Sequence, residues 1–262
     1  MKLTKIIFPA LILITSVNVF GQKTEPVKPE AKPVMEKPAP PAKLPTAKAV
    51  IDKYVEAIGG RKASEKFKTR LVKMNVEISP MGIKGTGEAY LAAPGKSYSK
   101  VNLSGIGELI EAYDGTTAWS VNPIQGNRDK TGIELAQAKL SSDFYRDINL
   151  DKLYPKMEVR GIEKVGDSET YVVAATPDGG LETETFYFDT KTGLLLRADA
   201  TLVTPEGKMA TKVFYEDYRD IDGIKMAFKT RSILPQFEII STFTEIKNGV
   251  EVDDKMFSKP GK

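Results

Sequence analysis

Neither cysteine nor histidine occurs among the 262 residues. Without cysteine there is no disulfide framework, no thiol nucleophile, no thiolate zinc site and no lipobox residue to acylate. Without histidine there is no Ser-His-Asp triad, no imidazole base and no His-ligated metal. An excess of one charge is also missing from most of the chain. Residues 1–45 hold seven Lys against three Asp/Glu, a balance of +4, while the whole chain carries 38 basic and 35 acidic residues. The remainder, 46–262, is therefore at −1. A phosphate backbone finds no excess of positive charge there, which argues against nucleic acid as a partner.

Long apolar runs are absent after the first 20 or so residues. At the start, Lys2 and Lys5 precede Ile6–Val19, which is broken only by Thr15, Ser16 and Asn18. Val19-Phe20-Gly21 follows as a cleavage pattern. This is the layout of a secretory signal peptide over 1–21. The run is about 14 residues, short of the roughly 20 that span a bilayer. The expectation is an exported, periplasmic protein with no transmembrane segment in its mature chain. Residues 22–45 then place seven prolines among lysines and glutamates. Such a segment has little to bury, and it reads as an extended Pro/Lys-rich disordered linker.

From residue 46 the composition turns globular, and no internal repeat divides 46–262, so one domain is expected. Val50, Ile51, Tyr54, Val55 and Ile58 recur at helical spacing before Gly59-Gly60. They predict a helix over about 46–58, with a shorter one at about 61–67. The period then changes to two. Val72, Met74, Val76 and Ile78 alternate with polar residues, and so do Ile83, Gly85, Gly87, Ala89 and Leu91. Pro80-Met81-Gly82 between them predicts a hairpin. Further strands are expected from about 96 to 122. A helical window opens at Thr131, where Thr131 and Glu134 fit a capping box. Strands resume near 157 and continue to about 247, with turns at Asp178-Gly179-Gly180, Pro205-Glu206-Gly207, Asp222-Gly223 and Asn248-Gly249. Short joints force antiparallel neighbours. The predicted fold is mainly β (α+β): one long antiparallel meander of about ten to eleven strands, forming an open half-barrel covered by two helices.

A sheet this wide must curl, and its inner face needs a cover. Gly85, Gly87 and Ala89 leave room on that face, and Phe186, Phe188, Phe214, Met226 and Phe228 line it in the alternating pattern. Trp119, the sole tryptophan, reads either as a core anchor or as cavity wall. Ile133, Ala136, Leu140 and Phe144 fall on one helical face and are candidates for a lid. Patterning alone also fits a solidly packed core. Paired carboxylates at Glu182/Glu184 and Asp217 beside Arg219 could in principle support hydrolysis. The simpler reading puts Glu182 and Glu184 on the wet side of an edge strand. No loop has the oxygen-ligand spacing of a calcium site, and no metal or cofactor is expected.

Several stretches carry a resemblance. Ile51-Asp52-Lys53-Tyr54-Val55-Glu56-Ala57-Ile58-Gly59-Gly60 is similar to the opening helix of the outer-membrane lipoprotein-sorting (LolA/LolB-like) superfamily. Gly105-Ile106-Gly107, Tyr113-Asp114-Gly115-Thr116-Thr117-Ala118-Trp119, Leu153-Tyr154-Pro155-Lys156 and Tyr187-Phe188-Asp189 are similar in kind. So are Thr192-Gly193-Leu194-Leu195 and the run from Tyr218 to Lys225. Their order covers nearly all of 46–262. The resemblance implies a half-barrel with a helical lid over a hydrophobic cavity. It implies a non-catalytic binder or carrier of lipid or lipoprotein acyl chains in the cell envelope, with other envelope proteins as further partners. The alternative is an envelope protein–protein interaction module with a solid core. The Pro/Lys linker is foreign to the carriers' pattern.

Overall fold

The computed structural model describes residues 44–259. The expected signal peptide and nearly all of the expected linker lie outside the described residues. The first helix, α1 (Ala47–Ala57), is entered through Thr46, whose Oγ1 accepts a bond from the Ala49 amide at 3.2 Å. A cap of this kind stabilises a helix by about 1 kcal/mol. Val50, Ile51, Tyr54 and Val55 are buried along one stripe. Gly59 ends the helix at φ +108°, and a Cβ there would sit 2.0 Å from the Gly223 carbonyl oxygen. Only glycine fits that approach. The Lys225 amide also donates to the Ile58 carbonyl at 2.9 Å, which ties the helix end to the sheet. A short α2 (Gly60–Ser64) follows.

Period-two segments then form β1 (Thr69–Ser79), β2 (Ile83–Ala92), β3 (Lys96–Leu103), β4 (Gly107–Tyr113), β5 (Ala118–Val121) and β6 (Arg128–Lys130). After α3 (Gly132–Ser141), a 3-10 turn at Arg146–Ile148 and α4 (Leu150–Leu153), the chain returns to strands. These are β7 (Lys156–Val165), β8 (Ser168–Thr176), β9 (Glu184–Asp189) and β10 (Leu195–Thr204). The last three are β11 (Gly207–Ile221), β12 (Ile224–Ile233) and β13 (Glu238–Asn248). All 13 described strands form one open antiparallel sheet.

The meander is not continuous, however. The sheet order runs from β6 down to β1, then from β13 back to β7, so β1 pairs with β13. Two meanders are thus joined at their chain-distant ends, and β6 and β7 become opposite edges. The segment 131–155 has to travel from one edge to the other. It crosses the open side of the half-barrel, and this places α3 over the inner face.

Two further expectations are corrected. The Thr131 side chain makes no capping bond. Glu134 instead forks onto the Arg128 guanidinium at 2.6 and 2.8 Å, a stronger partner than a backbone amide. β9 is an interior strand and Glu184 on it is buried, so Glu184 is not on the wet side of an edge, whereas Glu182, just before the strand, is exposed and pairs with Lys208 at 2.5 Å.

The inner face holds two large packed clusters and a small third one, in which Ala138 and Leu135 of α3 meet Tyr113 and Ala118. Of the two large ones, one lies under α1: Tyr54 and Ile51 meet Ile148, Tyr154, Val173, Phe186, Phe188 and Leu195. The other joins Met74, Val76 and Ile78 to Val101, Leu103, Leu109, Phe228 and Phe237. The outer face is closed at one place by the C-terminal segment. The Trp119 indole N–H donates to the Phe257 carbonyl at 3.0 Å, and Phe257 is fully buried. No described helix is long and apolar enough to cross a membrane.

Candidate functional site

Between the two clusters the inner face is not filled. A cavity of about 440 Å³ lies between the sheet and the 131–147 segment. Its roof is Gln137, Ala138, Leu140 and Ser141 of α3, followed by Ser142 to Phe144 and by Arg146 and Asp147. Its floor includes Arg70 and Val72 of β1, Leu91 of β2, and Tyr215, Tyr218 and Met226 of β11 and β12.

The roof is tied down on both sides by hydrogen bonds, with limited apolar contact from Leu135, Ala138 and Leu140. The Gln137 amide donates to the Thr201 carbonyl at 2.8 Å and accepts from the Val203 amide at 3.1 Å, which clamps α3 to β10. Across the cavity the Ser142 and Ser97 hydroxyls share a bond of 2.6 Å. The Phe144 amide donates to the Pro94 carbonyl at 3.0 Å. Only Ala138 of α3 is buried.

The wall is amphipathic. Lys130, at 4% side-chain exposure, pairs with Glu111. Burial pushes the Glu111 carboxyl above its usual range, and Lys130 opposes that push. Arg146 donates to the Tyr154 hydroxyl at 2.6 Å and to Glu184 at 3.0 Å. The Tyr54 hydroxyl donates to Asp147 at 3.1 Å, and that of Tyr218 to the Leu195 carbonyl at 2.8 Å. Burial pushes the Tyr215 hydroxyl up to about 12, and those of Tyr54 and Tyr218 well above the ordinary tyrosine value. The Glu182 and Glu184 side chains both reach this wall, and Glu184 is buried. Asp217 and Arg219 instead form an exposed pair at 2.6 Å.

Of the candidate residues read from the sequence, Met226, Leu140 and Phe144 line this cavity. Phe186 and Phe188 lie in the packed cluster under α1. Their rings sit 5.3 Å from Tyr154 and 5.1 Å from Tyr54. Phe228 belongs to the second cluster, and Ala89 packs against it. Gly85 and Gly87 face that cluster too, but the room they leave is taken. A Cβ at Gly85 would lie 2.2 Å from the Asn102 carbonyl oxygen, and one at Gly87 2.9 Å from the Val101 side chain. Trp119 and Phe214 point to the outer face. Trp119 pairs with Ala112 in register, outside the inward row that runs through Tyr113 and Ala118. Phe214 alternates with inward Val213 and Tyr215, and the Arg231 guanidinium covers its ring at 4.8 Å. Ile133 is 37% exposed near Gly180. Ala136 is half-buried on α3 and off the cavity wall.

Arg70, Arg146, Glu184, Tyr54, Tyr215 and Tyr218 were missed as a group. A signal existed for three of them. Glu184 shares strand parity with Phe186 and Phe188, Tyr215 with Val213, and Arg70 with Val72. A charged residue in phase with an apolar row points inward.

This combination, an open β half-barrel with a helical cover over an internal cavity, is the LolA-like fold. A LolA superfamily protein from Nitrosomonas europaea superposes with a TM-score of 0.56 at 12% identity, over 82% of this chain and 99% of that one. A DUF1329 family protein from Desulfovibrio piger gives 0.54 at 19% identity, over 80% and 96%. A domain assigned to outer-membrane lipoprotein sorting, from Vibrio parahaemolyticus, gives 0.51 at 10% identity, over 79% and 97%. No protein-family model matches the sequence, and no curated protein matches it.

Proposed function

We propose that this chain is an exported, non-catalytic binder or carrier of lipid or lipoprotein acyl chains in the bacterial cell envelope. The observation that carries this reading is the cavity of about 440 Å³ under α3. Small-molecule sites fall at roughly 300–1,000 Å³. Val72, Leu91, Leu140, Phe144 and Met226 give it an apolar surface on which a chain can lie. Each buried methylene gains about 0.8 kcal/mol, so affinity should grow with chain length. The LolA-like fold supports the reading, and the apolar run Ile6–Val19 supports export. The acids on the cavity wall are engaged in ion pairs and hydrogen bonds that hold the fold, which supports a static role for them.

Native mass spectrometry of protein purified from envelope, with organic extraction of the same sample, tests the reading. Co-purifying acyl mass is the expected result. Repeated absence of acyl mass, together with no uptake of fluorescent fatty acid, would sink it and favour the protein–protein interaction module.

A further inference from the structure

Four cations face the cavity, and three are accounted for. Lys130 pairs with Glu111, Arg146 pairs with Glu184, and Lys225 is exposed at the rim. Arg70 makes no ion pair among the described residues. Its Nε donates to Asn248 Oδ1 at 2.8 Å. No partner within the described residues takes the N–H groups on its two Nη atoms. The Arg70 Cζ lies over the Phe144 ring of the roof, 5.2 Å from its centroid. Burial lowers the Arg70 value from the ordinary one, so its charge is held at a cost. The acids nearby do not meet that demand. Asp147 raises the Arg70 value from a distance but accepts from Tyr54, and Asp143 accepts from the Tyr145 amide at 2.8 Å. A second spare donor faces the cavity from the roof: Arg146 Nε is buried and has no hydrogen-bond partner among the described residues.

A planar guanidinium held over an aromatic ring, with unused N–H groups on both Nη atoms, fits a two-oxygen anion, a carboxylate or a phosphate. Apolar Val72 and Leu91 line the same cavity as Arg70 and can take a chain. We propose that the ligand is an anionic amphiphile bound with its head inside, its carboxylate or phosphate seated on Arg70 and its chain along the apolar wall. This inference rests on the acyl-binding reading above and names the head that the cavity selects.

Palmitate and palmitamide share a chain and differ in the charge of the head. The purified full chain is titrated with each by displacement of a fluorescent fatty acid, and with acetate and inorganic phosphate alone by calorimetry. The expected result is palmitate bound about tenfold or more tighter than palmitamide. Arg70→Gln should abolish the preference, palmitate falling to the affinity that palmitamide shows for the same variant. Equal binding of the two ligands by the parent protein would overturn the proposal and leave the acyl-binding reading standing. Failure of both ligands to bind would overturn the two together. Acetate or phosphate binding as tightly as palmitate would keep the anion site but sink the acyl-binding reading. Should Arg70→Gln not fold, the parent protein's palmitate-to-palmitamide ratio still decides. Arg70→Lys, which keeps the charge and loses the fork, is then expected to retain only part of the preference.

Discussion

The inner face is one sheet under two covers, and the covers differ more than the sheet does. Under α1 the sheet meets Val50, Ile51, Tyr54, Val55 and Ile58, and the space is filled. Under α3 it meets Gln137, Ser141, Ser142, the half-buried Leu135 and Leu140 and a single buried alanine, Ala138, and a cavity remains. The strands offer apolar alternation in both places. Core or cavity is therefore decided by what the crossing segment brings to the sheet. A helix anchored by a glutamine clamp and hydroxyls can sit above the sheet without filling the space below.

The sharpest way to break this comparison is to truncate one side chain in each half. Phe188 is fully buried between Tyr54 and Phe186. Phe188→Ala should cost about 3–5 kcal/mol, because the packed half cannot collapse around the loss. Leu140→Ala, at the cavity wall, removes atoms that already border empty space and should cost on the order of 1 kcal/mol. Urea unfolding measures both. Equal losses would mean that the two halves are packed alike.

Alkaline pH bears next on the seam between the halves, where Tyr54, Tyr215 and Tyr218 cluster. Burial raises all three, Tyr215 to about 12. A raised value means that the folded state holds its protons longer than the unfolded chain, whose tyrosines titrate near 10. Their stabilising effect is complete below about pH 10 and is lost as pH climbs toward 12. Tyrosinate absorbance should rise together with loss of near-UV circular dichroism. Full ionisation of ten tyrosines with the fold intact would contradict these burials.

How far all this was legible in the sequence follows from the range of each interaction. The β1–β2 hairpin and α1 were readable, since Pro80-Met81-Gly82 and Gly59-Gly60 punctuate periods that need no distant partner. The β1–β13 pairing was not readable, because nothing local to Val72 or Ile246 states that residues so far apart in the chain meet. Gly85 and Gly87 read as space because the glycines lack side chains. The neighbours that occupy the space, Leu103 and Val101, are set by register across a turn. Glu184 was readable in principle. Its parity with Phe186 outweighs the assumption that a charged strand residue is wet.

Gly87 and Ala89 sharpen the boundary between cavity and second cluster. Gly87→Phe must displace Val101, a buried neighbour, and should cost about 1–3 kcal/mol through overpacking. Ala89 pairs with Val72 on one side and Ser99 on the other, and both of those line the cavity. Ala89→Phe therefore has room on the cavity side, and should lower fatty-acid affinity with a smaller loss of melting temperature. Paired melting and binding curves for the two variants place the boundary. If Gly87→Phe keeps its melting point, the packed cluster ends before that rung.

The smallest expected effect concerns the clamp. Gln137 makes two hydrogen bonds to the β10 backbone, at 2.8 and 3.1 Å, and each is worth about 1 kcal/mol net. Gln137→Ala removes both while taking little apolar surface with it, so global stability should fall by about 1–2 kcal/mol. The local consequence should be clearer than the global one. α3 buries only Ala138, so it opens at a lower free energy than the sheet beneath it. Amide exchange over 132–141 should be faster than over β8 or β12 in the parent, and faster again in Gln137→Ala. Under α1 the apolar stripe does the holding, so exchange over 47–57 should not change in the same variant. Added palmitate should slow exchange over 132–141 by bridging roof and floor. If α3 exchanges as slowly as α1, or is untouched by both the mutation and the lipid, then α3 is fixed core and the contrast between the two covers is lost.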